Sequence, residues 1–132
     1  MEQPEYLIDT NAVIDYLGKK LPASGMEFMN DIINSVPNVS AITKIEVLGF
    51  NAAGEHYKLL TDFMDDANIV ALTDNVIDKS IDIRKNHKTK LPDVIIAATA
   101  IVNNLVLISR NVSDFKNMQG LKVVDPYNFP TT

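Results

Sequence analysis

The chain has no cysteine. That absence excludes disulfide scaffolds, thiolate zinc sites, iron–sulfur clusters and cysteine nucleophiles. Histidine is scarce too: His56 and His87 lack the spacing of a ligand or catalytic pair and are expected to be surface or structural residues. There is no Gly-rich phosphate loop, nucleophile elbow or HExxH motif, so nucleotide-switch, serine-hydrolase and zinc-protease readings lose their support. The longest strongly apolar stretch, Val94 to Val102, falls well short of the roughly 20 residues a bilayer span needs. The start, Met1-Glu2-Gln3-Pro4-Glu5, is acidic and lacks the basic region of a secretory signal. A soluble cytoplasmic protein with no membrane partner is expected. At 132 residues, 46% hydrophobic and 22% charged, the composition suits one globular domain over residues 1–132 and excludes disorder and collagen-like repeats.

Positive charge is also short: 12 basic residues stand against 17 acidic ones, for a net charge of −5. A general nucleic-acid binder would be basic, because phosphate backbones attract basic surfaces. The basic residues are unevenly spread, however. Arg84, Lys85, His87, Lys88 and Lys90 lie between Ile83 and Leu91 with no acid among them. They read as a basic patch on an acidic body, or equally as a solvated helix end that complements its dipole.

The apolar pattern alternates strand and helix. Tyr6-Leu7-Ile8 reads as a strand, and Val13, Ile14 and Leu17 as a helix stopped by Gly18. Ser24 and Glu27 form a capping box for a helix carrying Met26, Met29, Ile32 and Ile33. Val39 to Ile42 reads as the second strand, with Thr43 and Glu46 as a second capping box opening the next helix. Tyr57, Leu60, Phe63 and Met64 mark another amphipathic helix. Ile69 to Leu72 is the third strand, followed by a helix capped by Thr73 and stapled by Leu72 and Ile77. Pro92 is placed at the first position of a helix whose body is apolar nearly all round and therefore buried. Leu105 to Ile108 is a fourth strand, Asn111 to Phe115 a short turn, and Leu121 to Val124 a last strand stopped by Pro126. Unbroken apolar strands between helices predict a three-layer α/β/α fold with a mainly parallel central sheet of about five strands. Ligands in such sheets bind beyond the carboxyl ends of the strands.

Four carboxylates fall at or near those ends: Asp9, Glu46, Asp93 and Asp114. Each has a plain structural reading. Glu46 completes a capping box, Asp93 complements a helix dipole, Asp9 serves as an N-cap and Asp114 caps a loop turn. Together they read differently. Converging carboxylates raise each other's pKa unless a cation neutralises them, and an all-oxygen cluster suits a hard ion such as Mg²⁺ or Mn²⁺. Such ions activate water and neutralise charge on a scissile phosphate. A response-regulator receiver has similar length and an acidic pocket. It needs an adjacent acidic pair after the first strand, an acceptor Asp at the end of the third and a Lys after the last. Here the first strand supplies one acid, the third runs Ile69-Val70-Ala71-Leu72-Thr73, and Asp125-Pro126 follows the last.

The order of the motifs resembles a known family. Leu7-Ile8-Asp9-Thr10-Asn11 and Ser40-Ala41-Ile42-Thr43-Lys44-Ile45-Glu46-Val47-Leu48-Gly49 resemble the opening half of a PIN-domain ribonuclease. Pro92-Asp93-Val94-Ile95-Ile96-Ala97-Ala98-Thr99-Ala100, then Leu107-Ile108-Ser109-Arg110-Asn111 and Asp114-Phe115, resemble its closing half. At this length the chain is similar to VapC-type toxins of bacterial toxin–antitoxin pairs. The resemblance implies a metal-dependent endoribonuclease that hydrolyses RNA (tRNA, rRNA or mRNA) to 5′-phosphate and 3′-hydroxyl ends. It implies Asp9, Glu46 and Asp93 as metal-binding acids and Asp114 as a less uniform fourth. Asn11 would orient Asp9. Ser109 stands where Thr is usual, and Asn111 where many relatives carry Asp, leaving Asp114 to supply that acid. Lys44, Arg110, Lys85, Lys88 and Lys90 are the candidates for holding the RNA backbone. Implied partners are a cognate antitoxin and a second copy in a homodimer. Gly49, Phe50, Tyr57, Leu60, Phe63 and Met64 give the middle helices either ample core or surplus apolar surface for such contacts. The alternative is an impaired PIN domain serving as an RNA- or protein-binding module.

Overall fold

The computed structural model describes residues 5–50 and 52–128. Met1 to Pro4, most of the acidic start, lie outside them. The elements run β1 (Tyr6–Ile8), α1 (Thr10–Leu17), α2 (Ala23–Asn34), β2 (Asn38–Ser40), α3 (Ala41–Leu48), α4 (Gly54–Asp66) and β3 (Asn68–Val70). They continue with α5 (Asp74–Asn86), α6 (Leu91–Val102), β4 (Val106–Ile108), α7 (Val112–Phe115) and β5 (Val123–Val124). The five strands pair in the order β3-β2-β1-β4-β5, and every pairing is parallel. The expected α/β/α class is the observed one.

Side chains on successive strand residues point to opposite faces, and that period divides the core. Leu7 and Leu107 are in register and join Val94, Ala97, Ala98 and Phe115 beneath α5, α6 and α7. Ile8 and Ile108 face the other way and join Val13, Met29, Val39, Val47 and Leu60 beneath α1 to α4. Both clusters share one sheet, and Leu7-Ile8 of β1 and Val106-Leu107-Ile108 of β4 accordingly stay apolar up to their ends. Helix α6 is buried through Val94, Ile96, Ala97, Ala98, Thr99 and Ala100, as its apolar composition predicts.

Several boundaries differ from the sequence reading. Strand β2 stops at Ser40 rather than Ile42, because Ser40 is itself the N-cap of α3: its hydroxyl accepts from the Thr43 N–H at 3.0 Å. The Thr43/Glu46 capping box is therefore not formed, and Glu46 lies in the last turn of α3. Helix α2 starts at Ala23 behind Pro22, so Ser24 is its second residue and the Ser24/Glu27 box is not formed either. Lys90 occupies the cap position of α6 and Leu91 its first turn, which moves Pro92 to the second helical position. Strand β3 ends at Val70, leaving Leu72 outside the sheet and 45% exposed. The Asn111–Phe115 turn contains the single-turn helix α7. Thr73 caps α5 as expected, accepting from the Val76 N–H.

From β1 the chain steps outward to β2 and β3. It then returns through α5 and α6 to lay β4 against the opposite side of β1. The winding reverses between β1 and β4, and the crevice beyond their carboxyl ends is where this architecture places a ligand.

Candidate acidic active site

Asp9 sits at that reversal. It follows β1, its N–H bonds to the Ile108 carbonyl at 2.9 Å, and it is 2% exposed. As the N-cap of α1 it accepts from the adjacent Thr10 N–H through Oδ1 at 2.7 Å. Its other oxygen, Oδ2, accepts from Ser109 Oγ at 2.7 Å and from Asn11 Nδ2 at 3.1 Å. Asp9 thus caps a helix and faces the crevice at once. Burial pushes its pKa up and the Glu46 charge adds to this, while the bonds from Ser109, Thr10 and Asn11 pull the other way.

Glu46 comes from α3, which packs against α1. Thr10 Oγ1 donates to Glu46 Oε1 at 2.7 Å and lies 3.2 Å from Thr43 Oγ1, which in turn lies 3.2 Å from Ser40 Oγ. A line of three hydroxyls therefore ties the α3 cap to the carboxylate that α3 presents. Asp93, in the first turn of α6, has its pKa pushed up to about 6. Burial is the main cause, followed by the charges of Asp9, Asp114 and Glu46, with Lys90 opposing them.

Asp9, Thr10, Asn11, Ile14, Glu46, Lys90, Pro92, Asp93 and Asn111 line one open cleft of about 320 Å³. Asp114, on α7, stands outside this lining but near enough for its charge to act on Asp93. Asn111 is among the residues lining the cleft, and its N–H donates to Ser109 Oγ at 3.0 Å. Among the described residues, no three His, Asp or Glu side chains stand close enough together to hold a metal ion as they are placed. The acids nevertheless fit a hard cation in donor chemistry, being oxygen ligands whose mutual repulsion only positive charge relieves.

The basic candidates separate. Lys90 lines the cleft. Lys44, Lys85 and Lys88 are exposed outside the lining. The Arg110 guanidinium turns away to Asp15 Oδ2, 3.3 Å distant, and packs 5.4 Å from the centre of the Tyr127 ring. Sequence reasoning missed Thr10, Thr43, Asp15 and Tyr127. For Thr10 a signal existed, since a hydroxyl beside an acid at a helix start is placed to reach a neighbouring helix. Asp15 and Tyr127 gave none, being 112 residues apart.

The PIN domain family model matches residues 6–121. A toxin–antitoxin complex from Klebsiella pneumoniae contains a chain 30% identical to this one, with a TM-score of 0.76, covering 93% of this chain and 98% of that chain. DNA-bound VapBC from Salmonella typhimurium is similar at 20% identity and a TM-score of 0.77, covering 94% and 99%. VapBC2 from Rickettsia felis, bound to a promoter DNA fragment, is similar at 19% and 0.74, covering 91% and 97%. The last two likenesses bear on the fold alone. No curated protein matches the chain. With the motif order, the parallel sheet, the converging acids and the match over residues 6–121 all in agreement, the chain belongs to the PIN domain family.

Proposed function

We propose that the chain is a divalent-metal-dependent endoribonuclease and the toxin of a type II toxin–antitoxin pair. The observation that carries this reading is the convergence of Asp9, Glu46 and Asp93, from three separate segments, on one cleft, with the charge of Asp114 reaching Asp93 from outside it. Mg²⁺ or Mn²⁺ bound there supplies activation of water and neutralisation of charge on a scissile phosphate. Asp9 and Asp93 are the residues to hold it, with Glu46 and Asp114 completing the set directly or through water.

The chain's own groups orient these acids. Ser109, Asn11 and the Thr10 amide hold both Asp9 oxygens, and Thr10 holds Glu46. Lys90 offers the cleft a positive charge for RNA phosphate. Lys44, Lys85 and Lys88 act at longer range, by attracting an otherwise repelled polyanion. Arg110 pairs with Asp15 while its side chain stays half-exposed, so a contact with the RNA backbone would have to share or displace that pair.

The antitoxin partner rests on the solved Klebsiella pneumoniae relative, which is a toxin–antitoxin complex. An open acidic cleft also suits a basic side chain from an inhibitor. The homodimer rests on an apolar groove between α5 and α6, lined by Leu72, Ile77, Ile81, Leu91 and Ile95. Four of these are 42–53% exposed, an unusual cluster for a surface left to water. Among the described residues no helix is long and apolar enough to cross a membrane. An RNA-cleaving toxin works in the cytoplasm, where its substrate is.

Asn111 supports a second reading, a PIN module that binds without turnover. Purified protein incubated with total RNA or pooled tRNA and Mg²⁺ or Mn²⁺ separates the two. Metal-dependent cuts that vanish with EDTA, and in both Asp9→Asn and Asp93→Asn, establish the nuclease. Folded, antitoxin-free protein that leaves RNA intact establishes the module.

A further inference from the structure

Asp15 is a buried acid that the proposed reaction does not use. It lies in the second turn of α1, 8% exposed, and the cleft lining does not include it. Two partners distant in sequence meet its Oδ2: the Arg110 guanidinium and the Tyr127 hydroxyl. Arg110 also packs against the Tyr127 ring, so the three side chains close a triangle. Burial and the adjacent Asp15 carboxylate raise the Tyr127 pKa, which keeps its hydroxyl protonated and donating.

The backbone that carries Arg110 is the one that builds one wall of the cleft. Ser109 Oγ donates to Asp9 Oδ2, the Arg110 N–H donates to Asn11 Oδ1 at 3.2 Å, and the Asn111 N–H donates to Ser109 Oγ. Asn11 in turn donates to Asp9. Three consecutive residues thus feed hydrogen bonds toward one carboxylate, while the middle side chain is anchored on Asp15, outside the cleft lining. The anchor is itself braced. Tyr127 follows Pro126, whose carbonyl lies so close over Gly25 of α2 that a Cβ there would collide with it.

We infer that Asp15 is a positioning residue. Through Arg110 and Tyr127 it fixes the segment after β4, so that Ser109 and the Arg110 amide meet Asp9 and Asn11 in one geometry. The inference rests on the nuclease reading only for its kinetic consequence; the geometric one stands apart from it. A small displacement of a hydrogen-bonding neighbour behind an acid of this kind lowers ion affinity and turnover without removing the acid.

The test uses full-length protein carrying Asp15→Asn, Arg110→Ala or both, with Asp62→Asn as a surface control that breaks only the exposed Lys58–Asp62 pair. Mn²⁺ affinity is read by titration, and the amide signals of Asn11, Ser109, Arg110 and Asn111 by NMR. RNA cleavage supplies kcat and KM, and melting supplies stability. Asp15→Asn should weaken Mn²⁺ binding about tenfold and shift the Ser109 and Asn111 amides. It should also lower kcat about tenfold with KM within twofold, and the double variant should lose no more than Arg110→Ala alone. A lowered melting temperature with unchanged amide signals and unchanged Mn²⁺ affinity would make Asp15 a stabilising residue only and overturn the inference. If the unmodified protein cuts no RNA, the nuclease reading fails, and the NMR and Mn²⁺ arms still decide the role of Asp15.

Discussion

Ser109 Oγ donates a 2.7 Å hydrogen bond to Asp9 Oδ2 across 100 residues of sequence, and both side chains are buried where β1 and β4 run out together. The same hydroxyl accepts from the Asn111 N–H, so one atom serves both the acid and the loop that walls the cleft. Ser109→Ala leaves a buried carboxylate short of a donor and an amide short of an acceptor. The expected loss is about 1.5–3 kcal/mol, the range for a hydrogen bond to a charged group, measured by denaturant unfolding. Mn²⁺ affinity should fall with it.

Asp93 makes the metal-free protein sensitive to pH in a defined direction. Its folded pKa of about 6 lies above the reference value of 3.8, so folding favours the protonated form. Below 3.8 the group costs nothing. As pH rises through the window to about 6, the ionised form accumulates among Asp9, Asp114 and Glu46, and stability falls. The raised Asp9 pKa adds to the fall in the same sense. In EDTA, the melting temperature of the wild type should drop relative to Asp93→Asn between pH 4 and pH 7. Millimolar Mn²⁺ should restore the wild type and leave Asp93→Asn unmoved. A difference between the two proteins that stays constant over this range would rule out the electrostatic account.

Much of this arrangement is legible in the chain, for identifiable reasons. Tyr6-Leu7-Ile8-Asp9 shows both a buried strand and the acid beyond it, because a strand covered on both faces admits no polar residue until it ends. Asp93 is legible because a helix start and an apolar body flank it. Around Ser40-Ala41-Ile42-Thr43-Lys44-Ile45-Glu46 the local rules fail. Two capping patterns overlap there, three residues apart; Ser40 still pairs with Val70 in the sheet, and its hydroxyl's bond from the Thr43 N–H ends the strand at Ser40. Asp15 is illegible for a different reason: nothing within its own helix marks an acid whose partners lie 95 and 112 residues away.

The relocated cap yields a pair of variants with opposite effects. Ser40→Ala removes the acceptor for the Thr43 N–H and should cost about 1 kcal/mol of stability, the usual penalty for an N-cap. Glu46 is exposed in the last turn of α3, so Glu46→Gln should change stability by less than about 0.5 kcal/mol while abolishing RNA cleavage. Were Glu46 only a helix-stabilising residue, cleavage by Glu46→Gln would match the wild type.

Self-association should depend on the α5–α6 groove. Ile81 is 51% exposed at its wall, so a charge there costs the folded monomer little and an apolar interface much. Light scattering should find a dimer for the wild type and a monomer for Ile81→Glu, with far-ultraviolet dichroism unchanged. A dimer that survives the substitution would place the interface elsewhere.

Lys90 is the cation that lines the cleft, and its effect on RNA can be separated from its effect on the acids. Removing one phosphate-binding cation from a protein that holds a single strand lowers the slope of log K against log salt by about 0.7. Lys90→Ala should show about that reduction in RNA binding measured in EDTA, where no cleavage intervenes. Lys85→Ala and Lys88→Ala, exposed outside the lining, should each show less. Lys90 also lowers the Asp93 pKa, so its removal pushes Asp93 further up and discharges part of the cleft. That secondary change favours a polyanion and opposes the loss of binding near pH 6. At pH 8 Asp93 is ionised in both proteins and the full loss should show. If the slope of Lys90→Ala equals that of the wild type at pH 8, Lys90 acts on Asp93 alone and does not touch RNA.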